Sequence, residues 1–168
     1  GQRVGRKSGA PPPAIDSARV LAYAILDASV QWTGRQKLIH DGKEVGQVPC
    51  LALCQNAWGE WEQIHIFHCN GDWEVLGAGG ASTIEEAKAF AERSYQGISA
   101  KWVFVNTTRE QAREWRRKES ADALCSFCDR IPAEMDKLIS GRSASICNHC
   151  AAKYYGLMGR DAKGTDAV

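Results

Sequence analysis

The sequence predicts an α+β fold, an antiparallel meander sheet with helices on one face, followed by a small C4 zinc finger. Three observations carry this. Short apolar runs separated by tight-turn pairs fill the stretch from Lys37 to Leu76. Helix-start signals flank that stretch on both sides. Two C-x2-C pairs close the C-terminal part, Cys125 with Cys128 and Cys147 with Cys150. The 168 residues carry 21 Lys+Arg against 20 Asp+Glu, so the chain lacks the basic excess of a general nucleic-acid coat protein. Its longest apolar run, Val20 to Leu26, falls far short of the roughly 18 residues that a membrane-spanning helix needs. Gly1 to Pro13 has no apolar centre of the signal-peptide kind, and a cytoplasmic protein without a membrane partner is expected. Seven cysteines, an odd number, argue against a disulfide framework.

Residues 1–13 carry Arg3, Arg6 and Lys7 and then Pro11, Pro12 and Pro13, and read as a flexible basic arm ending in a stiff polyproline stub. Gly5-Arg6-Lys7-Ser8 is not a phosphate-binding P-loop, because that pattern needs Gly where Arg6 stands. An α+β domain follows over 14–106. From Asp16 to about Trp32 a capped helix is expected, since Leu21, Ala24, Ile25, Ala28 and Trp32 recur at helical spacing, although Leu21, Tyr23 and Ile25 also alternate as a strand would. Asp41-Gly42 joins Lys37–Ile39 to Val45–Val48 as a hairpin. Strands are expected at Cys50–Gln55, Gln63–Cys69 and Trp73–Leu76, and the glycine-rich run Gly77–Ala81 is expected to end the sheet. Ser82 or Thr83 with Glu85 and Glu86 starts a helix to about Tyr95, with Ala87, Phe90, Ala91 and Ser94 inward, and Gly97 stops it. Lys101–Asn106 reads as a return strand. Residues 107–120 form a charged connecting helix, with Ala112 and Trp115 on its apolar side, and the domain boundary is placed there.

The two knuckles lie 18 residues apart, within the spacing of a structural zinc site. Two residues between thiolates let one tight turn aim both sulfurs at one ion. Four protein ligands leave no open position for activating water, so Cys125, Cys128, Cys147 and Cys150 are expected to hold one structural Zn²⁺. His149 breaks the ligand spacing and is taken as a surface histidine. With six bases and six acids in 121–168, and two further negative charges from a Zn²⁺ bound by four thiolates, the module is slightly acidic, which disfavours phosphate binding.

Cys125-Ser126-Phe127-Cys128, then Glu134, Lys137-Leu138-Ile139, Gly141, Ser143, and Ile146-Cys147 with Cys150, resemble the amino-terminal C4 zinc-binding domain of the ClpX protease chaperone. The resemblance spans about Cys125 to Cys150 and includes residues between the ligands. It implies a treble-clef finger over 121–158, the four cysteines as ligands, and a module that dimerises and docks substrates and adaptor proteins. It further implies Phe127, Leu138, Ile139 and Ile146 in the small core or at the dimer face. Unfoldase activity is not implied, because no Walker pattern occurs in the 168 residues. Residues 159–168 read as a disordered tail.

Other constellations are weaker. Cys50, Cys54, His65, His68 and Cys69 suggest a second metal site, but strand geometry sends His65 and His68 to opposite faces, so core packing is the expectation. Gly77–Ser82 is expected to be a capped turn. Trp58, Trp61 and Trp73 are candidates for a partner-binding face. No nucleophile with its base and orienter is evident, so non-enzymatic protein binding is the leading reading, through a partner or a second copy, with a link to an energy-dependent protease. Two alternatives stay open: a nucleic-acid-binding regulator using the basic arm and the Arg113–Lys118 helix, and an enzyme with a pocket near Trp58, Trp73 and His65.

Overall fold

The structure, a computed structural model, describes residues 9–120 and 123–161, and the chain forms two compact units, one up to Trp115 and the other from Arg116. In the first unit β1 (Ala14–Ile15) and β2 (Ala18–Ile25) form a tight hairpin, with Asp16 at the positive φ of 51° that the turn requires. Then come β3 (Gln31–Trp32), β4 (Leu38–His40), β5 (Lys43–Val45), β6 (Cys50–Asn56), β7 (Ile64–Cys69) and β8 (Val75–Ala81). Helix α1 (Ile84–Ser94), β9 (Tyr95–Gln96), a 3-10 turn at Ile98–Ala100, β10 (Val103–Phe104) and α2 (Arg109–Glu119) follow. The main sheet is antiparallel in the order β1-β2-β6-β7-β8, and β10 also pairs with β2.

The expected helix at Asp16–Trp32 is a strand. β2 contains a bulge at Leu21, between the pairs Val20 with Cys54 and Ala22 with Leu53. The extra residue shifts the two-residue alternation by one step, so Leu21 and Ala24, three apart, both reach the same core, as they would on a helix. The bulge also has a structural use: the Leu21 carbonyl accepts the N–H groups of both Val105 and Asn106, tying the returning chain to the sheet. With no helix there, α1 is the helix whose buried side chains join this sheet's core.

The second correction concerns Gly77–Ala81, which continues β8 instead of ending it. Gly77, Ala78, Gly79 and Gly80 pair with His68, Phe67, Ile66 and His65. Glycine is required at position 77 because a Cβ there would lie 2.7 Å from Cδ2 of Leu38, a buried side chain.

On the α1 side of the sheet, Leu51, Leu53, Ile64 and Ile66 pack with Ala87, Ala91, Tyr95 and Ile98. The opposite face buries Val20, Cys50, Ala52, Cys54, Phe67, Cys69 and Trp73. Alternate residues of β6 and β7 therefore serve two cores, which explains their nearly continuous apolar sequence. The expected Asp41-Gly42 hairpin turn is present, with φ of 49° and 74°. Thr83 caps α1 by accepting the Glu86 N–H at 3.1 Å, while Glu86 accepts the Ser82 N–H at 2.7 Å. Gly97 follows at φ 95°. Thr108 and Gln111 cap α2 reciprocally: Gln111 Oε1 accepts the Thr108 N–H at 2.9 Å and Thr108 Oγ1 accepts the Gln111 N–H at 3.1 Å.

The polyproline end of the arm is seated on this unit: Pro13 accepts the Val20 N–H at 3.1 Å, and Gly9 accepts the Trp73 indole N–H at 3.0 Å. Residues 1–8 of the arm lie outside the described residues. So do residues 162–168 of the expected tail, whose start at 159–161 instead continues a helix. The second unit contains a first knuckle at Cys125–Cys128, a 3-10 turn at Pro132–Glu134, the hairpin β11 (Leu138–Ser140) and β12 (Ser145–Cys147), and α3 (Asn148–Asp161). Among the described residues no helix is long and apolar enough to cross a membrane.

Candidate metal centre

The first knuckle is a closed turn. Cys125 N–H donates to the Arg130 carbonyl at 3.0 Å, Asp129 N–H donates to the Cys125 carbonyl at 2.9 Å, and Asp129 reverses the chain at φ 56°. The second knuckle joins the end of β12 to the first turn of α3, so the helix itself places Cys150 beside Cys147. Asn148 fixes that junction: its backbone N–H donates to the Lys137 carbonyl, and its side-chain oxygen accepts from the N–H groups of Asp136 and Lys137 at 3.1 and 3.2 Å.

The four sulfurs lie within 4.8 Å of one another, and Cys128 Sγ is 3.8 Å from Cys147 Sγ. A tetrahedral zinc with Zn–S bonds of about 2.3 Å requires sulfur–sulfur edges of about 3.8 Å, so the donor set fits the ion. Cys125, Cys147 and Cys150 are buried and Cys128 is half-buried, with Met135, Leu138 and Ile146 packed around them.

Hydrogen bonds prepare these sulfurs for the metal. Burial pushes the Cys125 thiol up, but N–H groups of Cys147, Phe127 and Cys128 outweigh it and bring the group down to about 6. Cys147 is lowered chiefly by the Cys150 N–H, 3.4 Å from its sulfur at the N-terminus of α3, where the helix dipole favours a thiolate. Cys150 is pushed up to about 12, first by burial and then by its bonds to the neighbouring sulfurs, so in the absence of metal it holds a proton that zinc would displace. Arg130 Nη1 donates to Cys128 Sγ at 3.4 Å, and this bond raises the guanidinium's own pKa. Arg130 thus sets a cation against the double negative charge of a zinc bound by four thiolates. All four positions are filled by protein sulfur, so the site can organise the fold and offers no open position for substrate.

Arg130 and Asn148 were not singled out by the sequence reading. Asn148 lies inside the knuckle and Arg130 two residues past the first, so proximity to ligands was the available signal. His149 is exposed, as expected. Of the other residues singled out in this unit, Leu138 and Ile146 pack against the cysteines, whereas Phe127 and Ile139 are 55% and 64% exposed. Phe127 lies against Tyr154 of α3, ring centroids 5.4 Å apart.

In the first unit the three tryptophans do not converge. Trp58 packs with Ala14, Ala57, Ala112 and Trp115. Trp61 is exposed, beside Asn56, Gln63 and His65. Trp73 corrects the expectation of a binding face: it is buried at 8% exposure, edge-on to Tyr23 at 5.6 Å. Cys50, Cys54 and Cys69 sit in the core, and the described residues hold no second cluster able to bind a metal. Two bases of α2 dock the helix: Arg113 Nε donates to the Ala57 carbonyl at 2.7 Å and Arg109 Nη1 to the Gly59 carbonyl at 3.0 Å.

No solved structure matches the chain. Residues 123–159, which contain all four metal-binding cysteines, match the family model of the ClpX C4-type zinc finger.

Proposed function

We propose that the C-terminal unit is a protein-docking module, a treble-clef finger whose zinc supports an exposed apolar surface, and that its first occupant is a second copy of the chain. The observation that carries this is the outward exposure of Phe127, Ile139, Tyr155 and Met158 on a unit whose metal is fully ligated by protein. A closed zinc has no chemistry to offer a substrate, whereas apolar side chains left in water gain by burial against another protein. The family likeness supports the same role, and with it adaptor or substrate docking linked to an energy-dependent protease. The domain division belongs to this reading: an α+β recognition domain over 14–106, a connecting helix over 107–120 and a finger over 121–158. Its setting is the cytoplasm, supported by seven cysteines of which none forms a disulfide.

The test is light scattering behind size-exclusion chromatography, on the zinc-loaded protein and on a Phe127→Asp, Ile139→Asp variant. Both side chains are exposed, so the variant is expected to keep its zinc. The proposal expects a dimeric parent and a monomeric, zinc-loaded variant. A parent that stays monomeric at high concentration overturns self-association.

A further inference from the structure

The first unit contains a cleft of about 360 Å³ bounded by Ile66 and His68 of β7, Gly79 and Gly80 of β8, Phe90, Ala91, Arg93 and Ser94 of α1, and Arg35 with Gln36. That volume lies within the range of small-molecule sites. Three features set it apart from an ordinary surface depression. Two exposed guanidiniums, Arg35 and Arg93, stand at its edge, and neither has an ion-pair partner among the described residues. The nearby acid Glu92 is engaged elsewhere: its carboxylate accepts from Gly97 N–H at 2.7 Å and from Ser99 N–H and Oγ at 3.0 and 2.7 Å. Arg93 is held over the Phe90 ring, 4.6 Å from its centroid, which keeps one face of the guanidinium on an apolar platform.

The third feature is inside. His68 lines the cleft at 2% exposure, and its Nδ1 has no hydrogen-bond partner. Buried polar side chains are normally satisfied, so an unpartnered imidazole at a cleft wall points to a group that arrives with a ligand. Burial keeps the ring neutral near pH 7, so it adds a hydrogen-bonding group and no third positive charge. The neighbouring wall is also polar but loosely occupied, the Ser94 hydroxyl reaching Gln36 Oε1 at 3.4 Å.

We propose that this cleft binds a small molecule with one oxyanion group, a carboxylate or a phosphate ester, on a flat apolar body. Arg35 and Arg93 take the oxyanion, Phe90 and Ile66 take the body, and His68 meets a polar substituent. Two guanidiniums aimed at one opening suit an oxyanion, since each can donate two parallel hydrogen bonds. Gly79, on the same face as Ile66, leaves the sheet side without a projecting side chain, so a flat ring can approach the strand.

The test is a titration followed by ¹⁵N–¹H correlation spectra of the full chain, with phenyl phosphate and benzoate as separate probes and benzyl alcohol as the uncharged control. Saturable shifts are expected at Gly79, Gly80, Phe90 and Ser94. The probe that binds more tightly identifies phosphate or carboxylate as the oxyanion. The Arg35→Ala, Arg93→Ala variant should lose about tenfold or more in affinity for that probe, as should benzyl alcohol on the parent protein. Both arginines are exposed, so unchanged peaks elsewhere will show that the variant is folded. Shifts that fail to saturate, that spread over the surface, or that survive the double substitution overturn the proposal.

Discussion

Removing zinc should unfold one unit and leave the other intact. In the finger, Ile131 is the one apolar side chain besides the cysteines that is buried among the described residues. Burying one isoleucine contributes about 1.5–3 kcal/mol, whereas structural zinc in small fingers contributes about 10–16 kcal/mol. Even with the partly buried Met135, Leu138 and Ile146 counted beside Ile131, the metal is the larger stabilising contribution, and the unit should not hold together without it. The chain supplies its own optical separation: all six tryptophans, Trp32, Trp58, Trp61, Trp73, Trp102 and Trp115, precede the finger. A chelator added to the loaded protein should therefore leave the tryptophan emission unchanged. The far-ultraviolet helical signal should fall as α3 melts, and α3 contributes 14 residues against 11 each for α1 and α2, so roughly two-fifths of that signal is at stake. A colorimetric zinc assay run alongside confirms extraction. If one zinc is released per chain and the helical signal does not change, the metal is not what folds this unit.

Arg130→Ala should weaken zinc binding by about 10–100-fold in a chelator competition, because it removes the cation beside Cys128 Sγ, while Arg130→Lys should recover part of the loss. Burial lowers His68 from the ordinary 6.5 to about 4. Its folded pKa is below its unfolded one, so this contribution is complete above about pH 6.5 and disappears as pH falls through about 4. The difference amounts to about 3 kcal/mol, and urea midpoints read by tryptophan emission should fall less steeply between pH 6.5 and 4 in His68→Phe than in the parent. Gly77→Ala should destabilise the first unit by about 1–3 kcal/mol, because the new methyl meets buried Leu38. In Gly79→Ala the nearest atom is 3.9 Å away, so the same melting assay should find a much smaller effect.

What could be read from the sequence was local. The cysteine ligands are set by turns of four residues, and Asp41-Gly42 and Thr83 with Glu86 act within their own turns. β6 and β7 were legible because their apolar runs are bounded by turn residues. β2 was not, because its bulge at Leu21 is fixed by partners more than thirty residues away, Cys54 and Leu53 on one side and the Val105 and Asn106 amides on the other. The glycine strand was misread for a related reason. Glycine weakens an isolated strand, and only pairing with β7 and the approach of Leu38 make it the residue required there. The roles of Arg35, His68 and Arg93 depend on a loop, a strand and a helix meeting at one cleft, and no spacing rule encodes that.

The division of seven cysteines between a sheet core and a metal centre also sorts them by chemical reactivity. Burial raises the Cys54 thiol well above its ordinary range and pushes Cys69 up to about 12, so these sulfurs stay protonated and sealed from electrophiles. Once zinc is lost and the finger unfolds, its four thiols are left open to solvent, where peroxides and alkylating agents reach them. An oxidant meeting this protein would therefore spare the sheet and strike the metal-free finger, where oxidised sulfur can no longer take up zinc. Oxidative injury would register as a failure to reload the metal, well before the first unit lost its structure.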